Sequence, residues 1–161
     1  MPEPKVVIAG TGRAGTTLLV QVLGDLGFDT GIRPGVHIDL ESRAGLEGNI
    51  RAANAPRVVK APGLSIELDG LIASGAVAIE HVIIPVRDLD VAAASRVRAA
   101  GYGRDPRARG GMIGRSKRAG AERAAIAEWL AQLIVTVTKY DLPHTLLAFP
   151  RFAEDPDYCF A

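Results

Sequence analysis

Short apolar runs alternate with longer stretches of helical spacing along the chain. Residues 6–9 (VVIA) form a continuous, β-branched run that stops at Gly10, which predicts a buried strand. Residues 57–60 (RVVK), 81–86 (HVIIPV) and 145–149 (TLLAF) read the same way, and Pro85 falls near a strand end, where a missing donor is tolerable. Between them, Leu18, Leu19, Val22, Leu23 and Leu26 recur at helical spacing and predict a helix over 16–26, closed by Gly27. A modest helix is predicted over 64–73, and a stronger one over 88–100 with Asp88 as N-cap. The longest spans 119–139, with Ile126, Trp129, Leu130, Leu133 and Val137 on one face. Residues 28–30 suit a further short strand, and the final residues suit the start of another helix. Strand followed by helix, repeated, predicts an α/β fold: a three-layer α/β/α sandwich around a mostly parallel sheet, in one domain over 1–161.

Two segments escape this alternation. Residues 31–48 carry Pro34 and several glycines, and 101–118 are glycine-rich, basic and aperiodic; both are predicted as loops. The second is long for a compact domain, and such loops are usually functional or disordered. From Arg96 to Arg118 there are eight basic residues and one acid, Asp105, although the net charge of the whole chain is only +1. Balanced charge gives no global attraction to nucleic acid or anionic membranes. The basic stretch has Tyr102 as its one aromatic, so the base-stacking platform of a nucleic-acid binder is missing there. No apolar run approaches the ~20 residues of a membrane span. The first residues, MPEPKVVIAG, do not have the layout of a signal peptide. The single cysteine, Cys159, leaves no internal disulfide. The expectation is a cytoplasmic protein with neither nucleic acid nor membrane as partner. Oligomeric state is not legible.

Chemistry concentrates in residues 8–19, IAGTGRAGTTLL. Glycines after a strand let the backbone approach an anion, and the helix that follows offers free N–H groups and the positive end of its dipole. Thr16 and Thr17 add hydroxyl donors, and Arg13 adds a charged fork. The spacing Gly10-x-Gly12-x-x-Gly15 matches a dinucleotide fingerprint, which needs an acid about 20 residues on, at the end of a second strand. Asp29 comes early for that role and Asp39 late. The same residues match a phosphate loop of the kinase type, with Thr16 where its lysine belongs, which argues against ordinary ATP chemistry. A tight strand–helix turn without ligand is the plain alternative.

The run Gly10-Thr-Gly-Arg13-Ala14-Gly15-Thr16-Thr17-Leu18-Leu19 also resembles the 5′-phosphosulfate loop of the sulfotransferases that use 3′-phosphoadenylyl sulfate (PAPS). A second stretch, VIIPVRDLDVAAASR, resembles that family's other mark, a strand-end arginine followed eight residues later by a helical serine; here these are Arg87 and Ser95. A guanidinium at a strand end is suited to bidentate grip on a phosphate. Its plain alternatives are an arginine paired with Asp90 and a serine that packs a helix. A third match, Val58-Val59-Lys60-Ala61-Pro62, is similar to the family's strand-end lysine, although a surface lysine reads equally well. The tail from Phe149 to Tyr158 resembles late segments of bacterial members.

The resemblance implies a P-loop-like nucleotide-binding topology, PAPS as co-substrate and a small-molecule acceptor. It assigns donor binding to Gly12, Arg13, Ala14, Gly15, Thr16, Thr17, Arg87 and Ser95. It assigns charge stabilisation at the leaving phosphate to Arg13 and Lys60. The family's histidine two residues after the lysine is here Pro62, so the base falls to His37, Asp39 or Glu41, of which His37 lies nearest physiological pKa. No metal is implied. His81 and His144 are expected to be structural. The chain is short for the family, and the basic loop either replaces the missing late segment over the nucleotide, binds an anionic acceptor or is simply solvated. Two other readings stand beside this one: a nucleotide-binding module of the same fold without turnover, and an NAD(P)-binding oxidoreductase.

Overall fold

The computed structural model describes residues 2–32, 46–101 and 119–159. Four strands, β1 (Pro4–Ile8), β2 (Val58–Lys60), β3 (Ala78–Val86) and β4 (His144–Ala148), form one sheet in the order β2-β1-β3-β4. All three pairings are parallel, with Val7 opposite both Val59 and Val82, and Ile84 opposite Leu146. Six helices accompany them among the described residues: α1 (Thr16–Asp25), α2 (Leu64–Ala73), α3 (Leu89–Gly101), α4 (Ala119–Lys139), α5 (Arg151–Glu154) and α6 (Pro156–Cys159).

Alternation along the strands sorts the core into two layers. Val7, Val59, Val82 and Ile84 face Leu68 of α2 and Leu133 and Val137 of α4. Ile8 and Val58 face the opposite way, onto Leu19 and Val20 of α1 and Phe152 of α5. The sheet is thus sandwiched between helices, as the alternation predicts, and it is wholly parallel. Helix α3 packs on α4 through Ala92, Ala93 and Ile126. Each fully buried valine or leucine contributes about 1.5–3 kcal/mol.

The anticipated strand over 28–30 does not form. Asp29 instead binds the start of β2: its carbonyl accepts the Val58 N–H at 2.8 Å and its carboxylate accepts the Arg57 N–H at 3.0 Å. Asp88 caps α3 as expected, accepting the Val91 N–H at 2.9 Å. Asp88→Ala therefore should lower stability by about 1 kcal/mol, read as a shift in the urea midpoint.

Pro85 sits inside a central strand without harm. Ile83 and Pro85 turn their backbone groups towards β1, and Ile83 still receives the Ala9 N–H at 3.1 Å. The last residue pair between β1 and β3 is Ile8 with Ile83, so Pro85 lies past the paired part of β1, beside Gly10 of the glycine loop. No helix among the described residues is long and apolar enough to cross a membrane.

Candidate functional site

All four strands run in the same direction, so their carboxyl ends lie along one edge. There β1 leads into the glycine loop, β2 ends in Lys60, β3 is followed by Arg87 and β4 by Phe149. Open parallel sheets bind ligands along this edge.

The loop has left-handed backbone at Gly12 (φ 64°), Arg13 (φ 55°) and Gly15 (φ 79°). Its carbonyl groups are held by side chains from three other elements. Ser65 of α2 donates to the Gly10 carbonyl at 3.1 Å, Arg96 of α3 to that of Thr11 at 2.9 Å, and Arg87 to that of Arg13 at 2.9 Å. The Thr11 hydroxyl bonds the Gly12 carbonyl at 3.1 Å. Gly15 is the N-cap of α1, no side chain caps that end, and its first turn carries no acid. Among the described residues, no backbone carbonyl accepts the N–H groups of Thr16, Thr17 or Leu18. Bound carbonyls and unengaged N–H groups are what an anion-binding loop requires.

Arg13, although exposed, is not loose. Its Nε donates to Ser95 Oγ at 3.1 Å, while Arg87 grips the carbonyl of the same residue. The first two motifs, 82 residues apart between Arg13 and Ser95, therefore meet in one cluster. The Arg87 guanidinium also lies 5.0 Å from the centre of the Phe149 ring. Phe149 and Phe152 pack ring to ring at 5.6 Å, close against Gly15. Ala14 and Thr16 are buried, and Gly15 and Thr17 half-buried.

Lys60 is not a surface lysine. Its side chain is only 2% exposed, and its Nζ lies 3.5 Å from Glu47 Oε1. Burial pushes its pKa below the usual lysine value, and Glu47 opposes that shift. Between the lowered pKa and 10.5, the unfolded chain binds more protons than the folded one, so stability rises with pH through that window. Below the lowered pKa, the cost of burying the charge is fully present. Lys60→Met should abolish this rise, as read from urea midpoints of both proteins at stepped alkaline pH.

Comparisons with protein-family models, curated proteins and solved structures return no match.

His37, Asp39 and Glu41 lie outside the described residues, as does the basic segment 102–118. His81 and His144 are engaged away from the loop, with Thr145 Oγ1 at 2.8 Å and the Leu142 carbonyl at 3.0 Å respectively. Among the described residues, no cluster of histidine, cysteine or carboxylate side chains is arranged to hold a metal. Four residues of the cluster were not singled out by sequence: Glu47, Ser65, Arg96 and Glu122. Arg96 and Glu122 are both buried, and Arg96 Nη1 lies 3.7 Å from Glu122 Oε1. Burial lowers the Arg96 pKa, Glu122 opposes this, and the charges of Arg13 and Glu47 are felt there too. Among the described residues, the cluster brings four cations, Arg13, Lys60, Arg87 and Arg96, together with the carboxylates of Glu47 and Glu122.

Proposed function

We propose that the chain is a PAPS-dependent sulfotransferase, transferring a sulfuryl group to a hydroxyl or amine of a small-molecule acceptor. The observation that carries this reading is the meeting of Arg13, Arg87 and Ser95 beside the start of α1. A loop for one phosphate and an arginine–serine pair for another suit a nucleotide with phosphates at both 3′ and 5′ positions. A dinucleotide needs a ribose-binding acid at the end of the strand beside β1. The two neighbours of β1 instead lead to cations, Lys60 and Arg87, and Asp29 is occupied by the Arg57 and Gly31 N–H groups.

In this reading Thr16, Thr17 and the N–H groups at the start of α1 orient the phosphosulfate, with Gly12, Ala14 and Gly15 allowing close approach. Arg87 and Ser95 hold the 3′-phosphate. The acceptor's lone pair forms a new bond to sulfur as the bond from sulfur to the bridging oxygen breaks in line. That electron pair passes to the departing 5′-phosphate, where Arg13 and Lys60 stabilise the charge. The acceptor's proton goes to a base. His37 was the first candidate from sequence, and Glu47 brings a carboxylate to the same lysine.

Equilibrium dialysis with PAPS labelled at sulfur tests the reading. The expected result is retention of label, displaced by adenosine 3′,5′-bisphosphate and strongly reduced in Arg13→Ala. Absence of retention, or displacement by NADH as effective as by the bisphosphate, would remove it.

A further inference from the structure

Arg96 follows Ser95 on α3 but does something different. Its guanidinium is buried, with Nε donating to the Thr11 carbonyl at 2.9 Å and Nη2 reaching the same oxygen. The group lies close against the loop: a Cβ added to Gly12 would collide with Nη2. On its far side Glu122 of α4, wholly buried, faces Nη1 at 3.7 Å.

Holding α3 on α4 does not require these charges. Ala92, Ala93 and Ile126 already form an apolar contact between the two helices. A buried ion pair pays a desolvation penalty that an apolar pair of similar volume avoids. What the pair adds is a rigid fork on one carbonyl. A trans peptide is planar, with its C=O and N–H antiparallel. Fixing the Thr11 carbonyl towards α3 therefore turns the Gly12 N–H to the opposite side of the peptide. A lysine would supply a point charge on a flexible stem, which cannot fix that plane as a guanidinium does.

We infer that Arg96, held by Glu122, is a positioning residue that sets the Thr11–Gly12 peptide so that the glycine loop presents its N–H groups to an anion. This rests on the reading of the loop as an anion site, and it makes no use of the 3′-phosphate or of sulfuryl transfer. It extends the site to a residue pair that bridges the loop, α3 and α4.

The test uses inorganic pyrophosphate as probe, titrated by calorimetry, with urea unfolding measured beside it. The double variant Arg96→Met/Glu122→Met replaces the pair by apolar side chains of similar reach, and such replacements often keep or raise stability. The expected result is a cooperatively folded variant, its urea midpoint lowered by no more than the loss of the hydrogen bonds to the Thr11 carbonyl explains, with pyrophosphate affinity lowered roughly tenfold or more. A folded double variant that binds pyrophosphate as the parent does would overturn the positioning role. Should the double variant not fold, Arg96→Lys decides: weaker pyrophosphate binding at an unchanged midpoint supports the role, and equal binding overturns it. Failure of pyrophosphate to bind the parent protein also overturns it. A parent protein that binds pyrophosphate but not adenosine 3′,5′-bisphosphate removes the sulfotransferase reading and leaves the role of Arg96 intact.

Discussion

Arg87→Ala should cost the protein about 1.5–3 kcal/mol of affinity for adenosine 3′,5′-bisphosphate, roughly ten- to a hundredfold, while 5′-AMP loses far less. The difference between the two ligands is the 3′-phosphate, so the comparison isolates the group that Arg87 is assigned to hold. A smaller common loss is expected, because Arg87 also donates to the Arg13 carbonyl and helps to shape the loop. The fold itself should survive. Arg87 follows β3 at a partly exposed position, and its contact with the Phe149 ring is worth about 0.5–1 kcal/mol. Arg87→Lys should fall between, since it keeps the charge and loses the fork. Equal losses for both ligands would instead assign Arg87 to loop support alone. Calorimetric titration of the three proteins with the two ligands provides the check.

Gly15→Ala should destabilise the protein by several kcal/mol, about 2–5 from backbone strain and crowding together. Gly15 has φ 79°, which costs a residue bearing a Cβ about 1–2 kcal/mol. The added carbon would also lie 2.6 Å from Phe149 Cδ2 and 2.7 Å from Phe152 Cζ, two rings that are already packed together. Forcing a methyl into such a site costs a further 1–3 kcal/mol or so. Gly27 offers the matching control. Its φ is 90°, but an added Cβ there meets nothing within 4 Å. Gly27→Ala should therefore show only the conformational cost. Urea unfolding of both variants separates strain from crowding, and equal destabilisation of the two would show that the phenylalanines yield.

The long helices were legible because burial has a period. Helix α4 spans the residues its apolar stripe indicates, and α2 likewise, the stripe outweighing the β-branched run Ile134–Thr138 in α4 and Gly70 in α2. β1, β2 and β3 were located to within a few residues by β-branched runs ending at glycine, lysine or arginine, and β4 by a short apolar run before Pro150. Residues 28–30 misled because three residues of strand propensity carry little weight against one aspartate able to bond the neighbouring backbone. The cluster of Arg13, Arg87 and Ser95 could be anticipated, since each residue falls at a strand end or on the helix that follows. Arg96 and Glu122 were less visible. Their signal lies in position rather than motif: Arg96 shares the stripe of Ala92 and Ala93, and Glu122 precedes Ile126 by one helical turn. Charges of opposite sign on the apolar faces of neighbouring helices mark a buried pair, but only the three-dimensional arrangement shows that the pair ends on the Thr11 carbonyl. Glu47 had no signal, because its partner Lys60 lies across a connection with no periodicity.

Calorimetric titration of the unmodified chain with adenosine 3′,5′-bisphosphate, beside 5′-AMP, ADP and NADH, tests the central claim most directly. The sulfotransferase account predicts that the bisphosphate binds more tightly than each of the others, with both of its phosphates engaged. Binding of NADH with indifference to the bisphosphate would contradict it and return the glycine loop to the dinucleotide reading.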